Sequence, residues 1–333
     1  MDTMTTDAST SVRADNLALD VWTKSATQLL VVSPTATETI FDRADELRRI
    51  ANRHLLREGA ILLRGFKKGQ VADFHSFAAS FGQEMLTYEF GSTPRSKIQE
   101  GVYSSTEYPA HQWIPQHNEQ SYTTRWPMKI WFYCDTAAAG GGETPIANSR
   151  EVYRRIPDAI RRRWRDKGLM YVRNYGNGLD VPWEQVFQTA DRAEVEAFCA
   201  RHQIQCEWRD DGSLRTRQIC QSEALHPVTG EAVWFNQAHL FHVTGLEPEV
   251  RETLLAAVDD ESELPRNVFY GDGTDIEESV LDEIRDVYTD LMLAFRWEEG
   301  DILMLDNMLT SHGRAPFAAP RRVLVAMAEP FPA

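Results

Sequence analysis

The 333-residue sequence contains few cysteines, and their spacing matches no disulfide or metal motif. The four are Cys134, Cys199, Cys206 and Cys220, and no two of them form a C-x-x-C pair. So few cysteines in so long a chain exclude a disulfide scaffold, and reduced thiols are the rule in the cytosol. We therefore expect a cytoplasmic protein.

The sequence also lacks an excess of positive charge and long apolar runs. Lys and Arg number 35 against 50 Asp and Glu, a formal charge of −15, which is the wrong sign for binding nucleic-acid phosphates. No apolar run approaches the roughly 18 residues of a membrane span, and the N-terminus has no signal-peptide pattern. We expect no nucleic-acid or membrane partner, and a disordered segment at residues 1–17.

Apolar and aromatic residues, in contrast, are abundant. Hydrophobic residues make up 42% of the chain, with 9 Trp, 15 Phe and 10 Tyr, as in globular proteins with a large core. No repeat, low-complexity tract or linker divides the sequence. We predict a single domain over residues 18–333.

The first third of the sequence mixes helical and strand patterns. Apolar residues recur at helical spacing from Glu38 to Leu56 and again in "VADFHSFAASFG". Between them, "GAILLRGF" at 59–66 is a short apolar run that is typical of a buried strand.

After residue 100, short aromatic or β-branched runs alternate with turn signals such as "DDG" and "VTGE". Helices are predicted in "SREVYRRIPDAIRRRWRDKG" and from about Ile276 to Phe295. The tail predicts two buried strands, "GDILMLDN" and "RRVLVAMAEP", with His312 on a loop between them. The pattern favours an antiparallel β core with flanking helices, and irregular strand–helix order disfavours a doubly wound sheet.

The segment "PQHNEQSYT", residues 115–123, contains a candidate pair of metal ligands. Chance alone supplies about one H-x-[DE] match in such a chain, so the motif needs support from its context. On an extended segment, His117 and Glu119 would project to one face, and His312 is the candidate third ligand. Two histidines and a carboxylate form the ligand set of non-haem Fe(II) oxygenases, although zinc accepts the same donors.

Iron of this kind requires a co-substrate that supplies electrons, commonly 2-oxoglutarate, whose far carboxylate needs a cation. Arg321 and Arg322 follow His312 and could form a bidentate pair with it. Neighbouring strand residues face opposite ways, so only one of the two should point inward. Thr144, after the glycines of "GGGETP", could bind the same carboxylate.

Five blocks of the sequence resemble one known family. They closely resemble the taurine dioxygenase/clavaminate synthase-like superfamily of Fe(II)- and 2-oxoglutarate-dependent oxygenases, and in particular its syringomycin-type hydroxylase branch of natural-product pathways. The blocks are "GAILLRGF", "YSSTEYPAHQWIPQHNEQSYTTRWPMKIWFYC", "GGGETPIANSREVY", "EAVWFNQAHLFH" and "GDILMLDNMLTSHGRAPFAAPRRVLVAMAEP". The resemblance implies a double-stranded β-helix, the cupin-like jelly roll, with iron between its sheets.

The resemblance also implies roles for particular residues. His117, Glu119 and His312 match the family's metal ligands, and Thr144 matches the threonine that contacts 2-oxoglutarate. Related halogenases carry a small residue at the carboxylate position, so Glu119 implies oxygen chemistry with Fe(II), 2-oxoglutarate and O2. Hydroxylation is the expected outcome, with desaturation or epoxidation as alternatives.

The family pattern also bears on the choice of arginine. In the family, the arginine that binds 2-oxoglutarate is followed after one residue by Leu or Met, which favours Arg322 and leaves Arg321 as the alternative. A second arginine of taurine dioxygenase is replaced here by Ala326, so a sulfonate substrate is not expected.

The resemblance suggests that the substrate is an amino acid or an amino-acid-derived intermediate, free or bound to a carrier protein. Candidate substrate contacts are Arg314, Asn236, His239 and Gln116. His239 and His242 are three residues apart but follow a strand-like run, so we interpret them as structural or cavity-lining residues rather than metal ligands.

A cluster of basic residues between positions 150 and 167 stands out in the acidic chain. Its ordinary interpretation is a solvated helix face, and the alternative is a docking surface for an acidic carrier protein. Two other functions remain open, a zinc hydrolase with the same ligands and a non-catalytic cupin-like binding protein. A zinc hydrolase would have no use for the arginine and threonine predicted to bind 2-oxoglutarate. A non-catalytic binding protein would be expected to have lost one of the three metal ligands, and all three are present.

Overall fold

The computed structural model of the protein describes residues 12–14, 17–86, 96–99, 101–105, 108–176 and 182–332. The strands are β1 (Val12–Ala14), β2 (Leu17–Lys24), β3 (Thr27–Pro34), β4 (Ala60–Leu63), β5 (Lys97–Gln99), β6 (Val102–Ser104), β7 (Ile114–His117), β8 (Trp126–Thr136), β9 (Thr144–Asn148), β10 (Leu169–Tyr175), β11 (Gln205–Trp208), β12 (Leu214–Cys220), β13 (Glu223–Leu225), β14 (Ala232–Trp234), β15 (Arg266–Tyr270), β16 (Leu293–Phe295), β17 (Ile302–Asp306), β18 (Thr310–Arg314) and β19 (Arg322–Phe331). The helices are α1 (Ala44–Glu58), α2 (Val71–Ala79), α3 (Ser149–Arg155), α4 (Asp158–Lys167), α5 (Trp183–Phe187), α6 (Arg192–Arg201), α7 (Ala238–Phe241), α8 (Pro248–Ala256) and α9 (Glu278–Leu291), with 3₁₀ turns at Val243–Gly245 and Glu261–Glu263.

The largest sheet has nine strands in the order β1-β2-β3-β4-β17-β8-β19-β6-β5. Its pairs are antiparallel except β3 with β4. Because side chains alternate along a strand, β17 contributes to two cores. Ile302 and Met304 pack with residues of α1 and α2, while Leu303 and Leu305 pack with residues of a second sheet.

The second sheet has four strands in the order β16-β9-β18-β7. Ile146 of β9 and Phe295 of β16 are fully buried in the core that also holds Leu303 and Val325 of the nine-stranded sheet. The two sheets therefore face each other across an apolar core. This arrangement confirms the predicted jelly roll with a mainly β core and flanking helices.

A third, four-stranded sheet has the order β11-β12-β10-β15 and packs with helix α9. It contains the predicted "DDG" hairpin, and the predicted "VTGE" turn joins β13 to β14. The described helices are each too short or too polar to cross a membrane. A single domain over residues 18–333 stays a prediction.

Several predicted boundaries differ from the structure. Helix α1 begins at Ala44 rather than Glu38, because Thr39 and Asp42 bond to each other and hold a turn. The predicted helix after residue 149 is two helices, since Ile156 is extended before Pro157, a position where proline disfavours helix. The predicted helix to Phe295 ends at Leu291, and the remaining residues form β16.

Three further predictions, one about the N-terminus and two about site residues, also differ from the structure. Most of the predicted disordered segment 1–17 lies outside the described residues, but Val12–Ala14 pairs with β2, in which Leu17 is fully buried. His312 lies on β18, not on a loop. Glu119 lies on a turn just beyond β7 rather than on the strand itself.

Candidate active site

Strands β7 and β18 bring the predicted metal ligands together. The two strands pair antiparallel with His117 directly opposite His312, and the imidazole centroids are 4.6 Å apart. Glu119, two residues beyond β7, places Oε2 3.9 Å from Nε2 of His312. One nitrogen or oxygen from each of the three side chains lies within 4.8 Å of the others.

This donor set fits an iron ion. Nδ1 of His117 lies 2.8 Å from the carbonyl oxygen of Pro115, so Nδ1–H donates there and Nε2 carries the lone pair. The imidazole of His312 packs against the Phe132 ring, 4.9 Å between centroids. Two imidazole nitrogens and one carboxylate, with room for further ligands, form the set that non-haem Fe(II) enzymes use.

Gly313 allows the two ligand-bearing strands to lie so close. A Cβ atom at this position would lie 2.6 Å from the carbonyl oxygen of Ile114 on β7. Any side chain would push the strands apart where His117 faces His312.

The backbone of Glu119 is fixed by Asn307, a residue for which the sequence predicted no role. The Asn307 side chain is fully buried; Oδ1 accepts from the Glu119 amide at 2.7 Å, and Nδ2 donates to the Glu119 carbonyl at 2.9 Å. Nδ2 also donates to the carbonyl of Pro127 at 2.8 Å. Asn307 thus connects the end of β17 to the turn that presents the Glu119 carboxylate.

A small cavity of about 40 Å³ lies on one side of the histidines. His312, Thr144 and Arg321 line it together with apolar Phe132 and Val323. The Thr144 hydroxyl accepts a hydrogen bond of 2.9 Å from the indole of Trp297, a residue not predicted from the sequence. Burial, with a smaller effect from nearby Arg314, lowers the pKa of Arg321 to about 10, so Arg321 is still cationic at neutral pH.

The expectation that Arg322 points inward is wrong. Arg322 is exposed and pairs with Asp135 at 3.0 Å, whereas Arg321 packs on Phe317 and donates from Nε to the Gly142 carbonyl at 3.3 Å. The family pattern favoured Arg322 because Leu324 follows it after one residue, as a Leu or Met follows the family's arginine. The pairing of β19 with β8 shifts register just after Arg322, and such irregularities change which side chain faces the core.

A larger cavity of about 550 Å³ adjoins the small one, and His117 and Ile114 line both cavities. Its wall is mainly apolar and aromatic and includes Tyr122, Phe241 and Leu264, all nearly fully buried. Trp113 lies in the same lining and is 43% exposed. A mainly apolar cavity with a few polar residues, beside candidate metal ligands, is typical of a substrate site.

None of the four predicted substrate contacts lines this cavity. Gln116, Asn236 and His239 line neither cavity. His239 Nε2 donates to the Gln116 carbonyl at 2.8 Å and its ring stacks on Tyr288, while Asn236 bonds to the Ser222 carbonyl and the Ala238 amide. These contacts give Asn236 and His239 structural roles, and a substrate contact by any of the three residues stays a prediction.

Arg314, His239 and His242 each make hydrogen bonds within the protein, and a substrate contact by Arg314 stays a prediction. Arg314 lines the small cavity, but its guanidinium donates to the carbonyls of Tyr108, Pro109 and Gln112 and so holds that segment in place. Burial lowers the pKa of both His239 and His242 to about 4. Neither histidine belongs to the metal-ligating group.

The basic cluster on α3 and α4 is largely paired with acids. Arg162 contacts Asp158 at 3.0 Å, Arg165 contacts Glu223 at 2.6 Å, and Arg163 pairs with Glu277. These pairs fit the interpretation of a solvated, charge-balanced helix face.

Comparisons with known proteins agree with this geometry. The family described as "Taurine catabolism dioxygenase TauD, TfdA family" matches residues 33–327. The dapdiamide synthesis protein DdaC of Enterobacter agglomerans is 43% identical over 276 residues, 83% of this chain and 84% of that protein. A clavaminate synthase-like protein of Arabidopsis thaliana is 30% identical over 308 residues, 88% and 87% of the two chains.

A solved structure shows the same fold. PvcB of Pseudomonas aeruginosa, an Fe, alpha-ketoglutarate dependent oxygenase from an isonitrile synthetic pathway, superposes with a TM-score of 0.56 at 17% identity. The match covers 97% of this chain and 95% of PvcB.

Proposed function

This chain belongs to the taurine catabolism dioxygenase TauD, TfdA family and is an Fe(II)- and 2-oxoglutarate-dependent oxygenase, and from that premise we propose that His117, Glu119 and His312 hold its iron. The observation that carries the proposal is the convergence of their ligand atoms within 4.8 Å. His117 lines both the small cavity, whose polar residues include Thr144 and Arg321, and the large, mainly apolar cavity.

The small cavity is the proposed site for 2-oxoglutarate. Arg321 is cationic, lines this cavity and has a planar guanidinium suited to a carboxylate. Thr144 can donate its hydroxyl proton to the same carboxylate because its oxygen already accepts from Trp297. Phe132 and Val323 offer an apolar wall to the methylene groups of the co-substrate.

The chemistry that Fe(II) and 2-oxoglutarate supply when bound is O2-dependent oxidation of a substrate, with succinate and CO2 as co-products. The protein's own part is positioning. Asn307 fixes the Glu119 backbone, and Pro115 orients His117. The large cavity surrounds the substrate with apolar side chains that exclude water. Hydroxylation is the proposed outcome, with desaturation or epoxidation as the alternatives.

The proposed substrate is an amino acid or an amino-acid-derived intermediate of natural-product biosynthesis. One relative is named for dapdiamide synthesis and the PvcB structure for an isonitrile synthetic pathway. A cavity of about 550 Å³ suits a small molecule of this class. The four free cysteines support a cytoplasmic location, and the acidic charge supports the absence of a nucleic-acid partner.

A screen for coupled turnover tests this function. Amino acids and their N-acyl derivatives are incubated with enzyme, Fe(II), 2-oxoglutarate and O2, and succinate release is measured. We expect at least one compound to stimulate release, and we expect the stimulation to disappear in Glu119→Ala. Hydrolysis of a substrate without any need for 2-oxoglutarate would instead support a zinc hydrolase.

Delivery of the substrate on a carrier protein is the second candidate mode. If α4 docks an acidic carrier, reversing the charges of Arg161, Arg162 and Arg163 should slow turnover of a tethered substrate and spare a free one. If the variant turns over both the tethered and the free substrate at the wild-type rates, docking at α4 is ruled out. Because Arg161, Arg162 and Arg163 already pair with acidic residues of this protein, we expect unchanged rates.

A further inference from the structure

The large cavity is lined by one arginine to which the proposed chemistry gives no role. Among its described lining residues, Arg266 is the only arginine or lysine. The lining carboxylates are Glu119, assigned above to the metal, and Glu247, which is exposed at the rim. In a protein with a formal charge of −15, an anionic ligand needs such a local cation to offset the overall field.

Hydrogen bonds from Asn174 hold the backbone just before Arg266. Asn174 is buried; its Nδ2 donates to the carbonyls of Ser262 and Leu264 at 2.9 and 2.7 Å, and its amide donates to the Pro265 carbonyl at 2.9 Å. The segment just before Arg266 is therefore held in one position. A guanidinium on a fixed backbone loses less entropy when it binds a ligand than one on a mobile loop.

A row of aromatic rings joins Arg266 to the metal-ligating group. The Arg266 guanidinium lies over the Phe241 ring at 5.8 Å, and Phe241 lies 4.9 Å from Tyr122 between centroids. Tyr122 stands three residues after Glu119, and both line the cavity. A ligand with a charge at Arg266 would thus extend along apolar rings towards His117 and Glu119.

Three other arginines lie near the site: Arg173, Arg314 and Arg321. Arg173 lies directly opposite Arg266 in the pairing of β10 with β15, is 6% exposed and does not line the large cavity. Arg314 donates to three backbone carbonyls, and Arg321 lines the small cavity. Neither lines the large cavity. Arg266 is the residue placed to select a substrate by its charge.

We propose that Arg266 binds a free carboxylate of the substrate. The substrate's apolar body then lies against Phe241 and Tyr122, and the carbon to be oxidised lies at the opposite end, beside His117 and Glu119. The position of the reacting carbon rests on the proposed function, whereas the carboxylate subsite does not. A substrate whose only carboxyl is tied up in a carrier thioester would lack the group that Arg266 recognises.

Binding of matched acids and amides tests the subsite. The probes are N-acetyl-L-phenylalanine, N-acetyl-L-tyrosine and N-acetyl-L-leucine, each as the free acid and as the carboxamide. They are titrated under anaerobic conditions into enzyme loaded with Fe(II) and 2-oxoglutarate, and tryptophan fluorescence is followed. Trp113 lines the cavity and is 43% exposed, so its emission should respond to an occupant.

Three variants separate the subsite from general effects of charge. Arg266→Gln removes the charge, and Arg266→Lys retains it without the bidentate geometry. Arg251→Gln is the matched control, because Arg251 lies on α8 beside the cavity, pairs with Glu278 at 2.8 Å and does not line the cavity.

We expect at least one acid to bind wild type about 10- to 100-fold more tightly than its amide, which is the range for a hydrogen-bonded charge pair. Arg266→Gln should abolish this preference, Arg266→Lys should retain part of it, and Arg251→Gln should leave it unchanged. The proposal is overturned if no acid binds, if acid and amide bind equally, or if Arg266→Gln keeps the preference.

The two proposals fail in different ways. If Fe(II) and 2-oxoglutarate give no visible absorption band, the metal assignment fails, and the acid–amide comparison can still be made by fluorescence on the same protein. If the band forms but the acids show no preference, the carboxylate subsite alone fails.

Discussion

The single variants Arg321→Met and Arg322→Met should have very different effects on 2-oxoglutarate binding. Arg321→Met keeps most of the side-chain volume that packs against Phe317 and Gly142 but removes the guanidinium. Arg322→Met removes the same charge one residue later, where the side chain is 47% exposed and paired with Asp135.

The expected magnitudes follow from these surroundings. Loss of a charge-assisted hydrogen-bonded pair in a partly buried site costs about 1.5–3 kcal/mol, which corresponds to a Kd for 2-oxoglutarate that is roughly 10- to 150-fold higher. Loss of the exposed pair at Arg322 costs at most about 1 kcal/mol of folding stability and should leave the Kd for 2-oxoglutarate within about fivefold of wild type.

The assay is an anaerobic titration of 2-oxoglutarate into the Fe(II)-loaded enzyme, followed by the weak visible absorption of the chelate, with thermal unfolding as the control for folding. Arg321→Met should weaken 2-oxoglutarate binding far more than Arg322→Met. The opposite order, in properly folded variants, would refute the assignment of Arg321.

Three further predictions concern the residues around the metal group. Glu119→Ala should abolish coupled succinate release, because a carboxylate ligand is lost; full coupled activity in that variant would refute the role of Glu119. Asn307→Asp cannot donate to the Glu119 carbonyl and should weaken Fe(II) binding about 10- to 100-fold, measured by Fe(II) titration, whereas unchanged affinity would show that the backbone contact does not position the ligand. Because burial lowers the pKa of His239 to about 4, below the roughly 6.5 of an unfolded histidine, the unfolded chain takes up this proton first on acidification. The stabilising effect of neutral His239 is therefore full above about pH 6.5 and is lost towards pH 4. Denaturant unfolding between pH 4 and 7 should show a shallower pH slope in His239→Gln than in wild type, and identical slopes would contradict this.

The sequence predicted the fold class and the ligand trio because their signals are local or repeated. Short continuous apolar runs identified strands such as β4 and β17, and these strands form the core that carries the site. The pairing of His117 with His312, separated by 195 positions, could be proposed only because the donor types suggested a common ion. The same local signals placed His312 on a loop, since no pattern in "TSHGR" distinguishes a strand from a turn.

The positioning residues could not be predicted in this way. Asn307 and Trp297 act through hydrogen bonds to residues 188 and 153 positions away, and no periodicity encodes such contacts. The choice between Arg321 and Arg322 depended on a register shift in strand pairing, which is a property of two strands together. Arg266 escaped notice because only the assembled cavity shows that it lies beside Phe241.

Anaerobic addition of Fe(II) and 2-oxoglutarate to wild type, Glu119→Ala, His312→Ala and His239→Gln tests whether His117, Glu119 and His312 hold the iron. We expect the visible band of the chelate in wild type and in His239→Gln, since His239 is outside the ligand group. The band should be lost or greatly weakened in Glu119→Ala and His312→Ala. No band in wild type, or an undiminished band in either ligand variant, would contradict the assignment of this site.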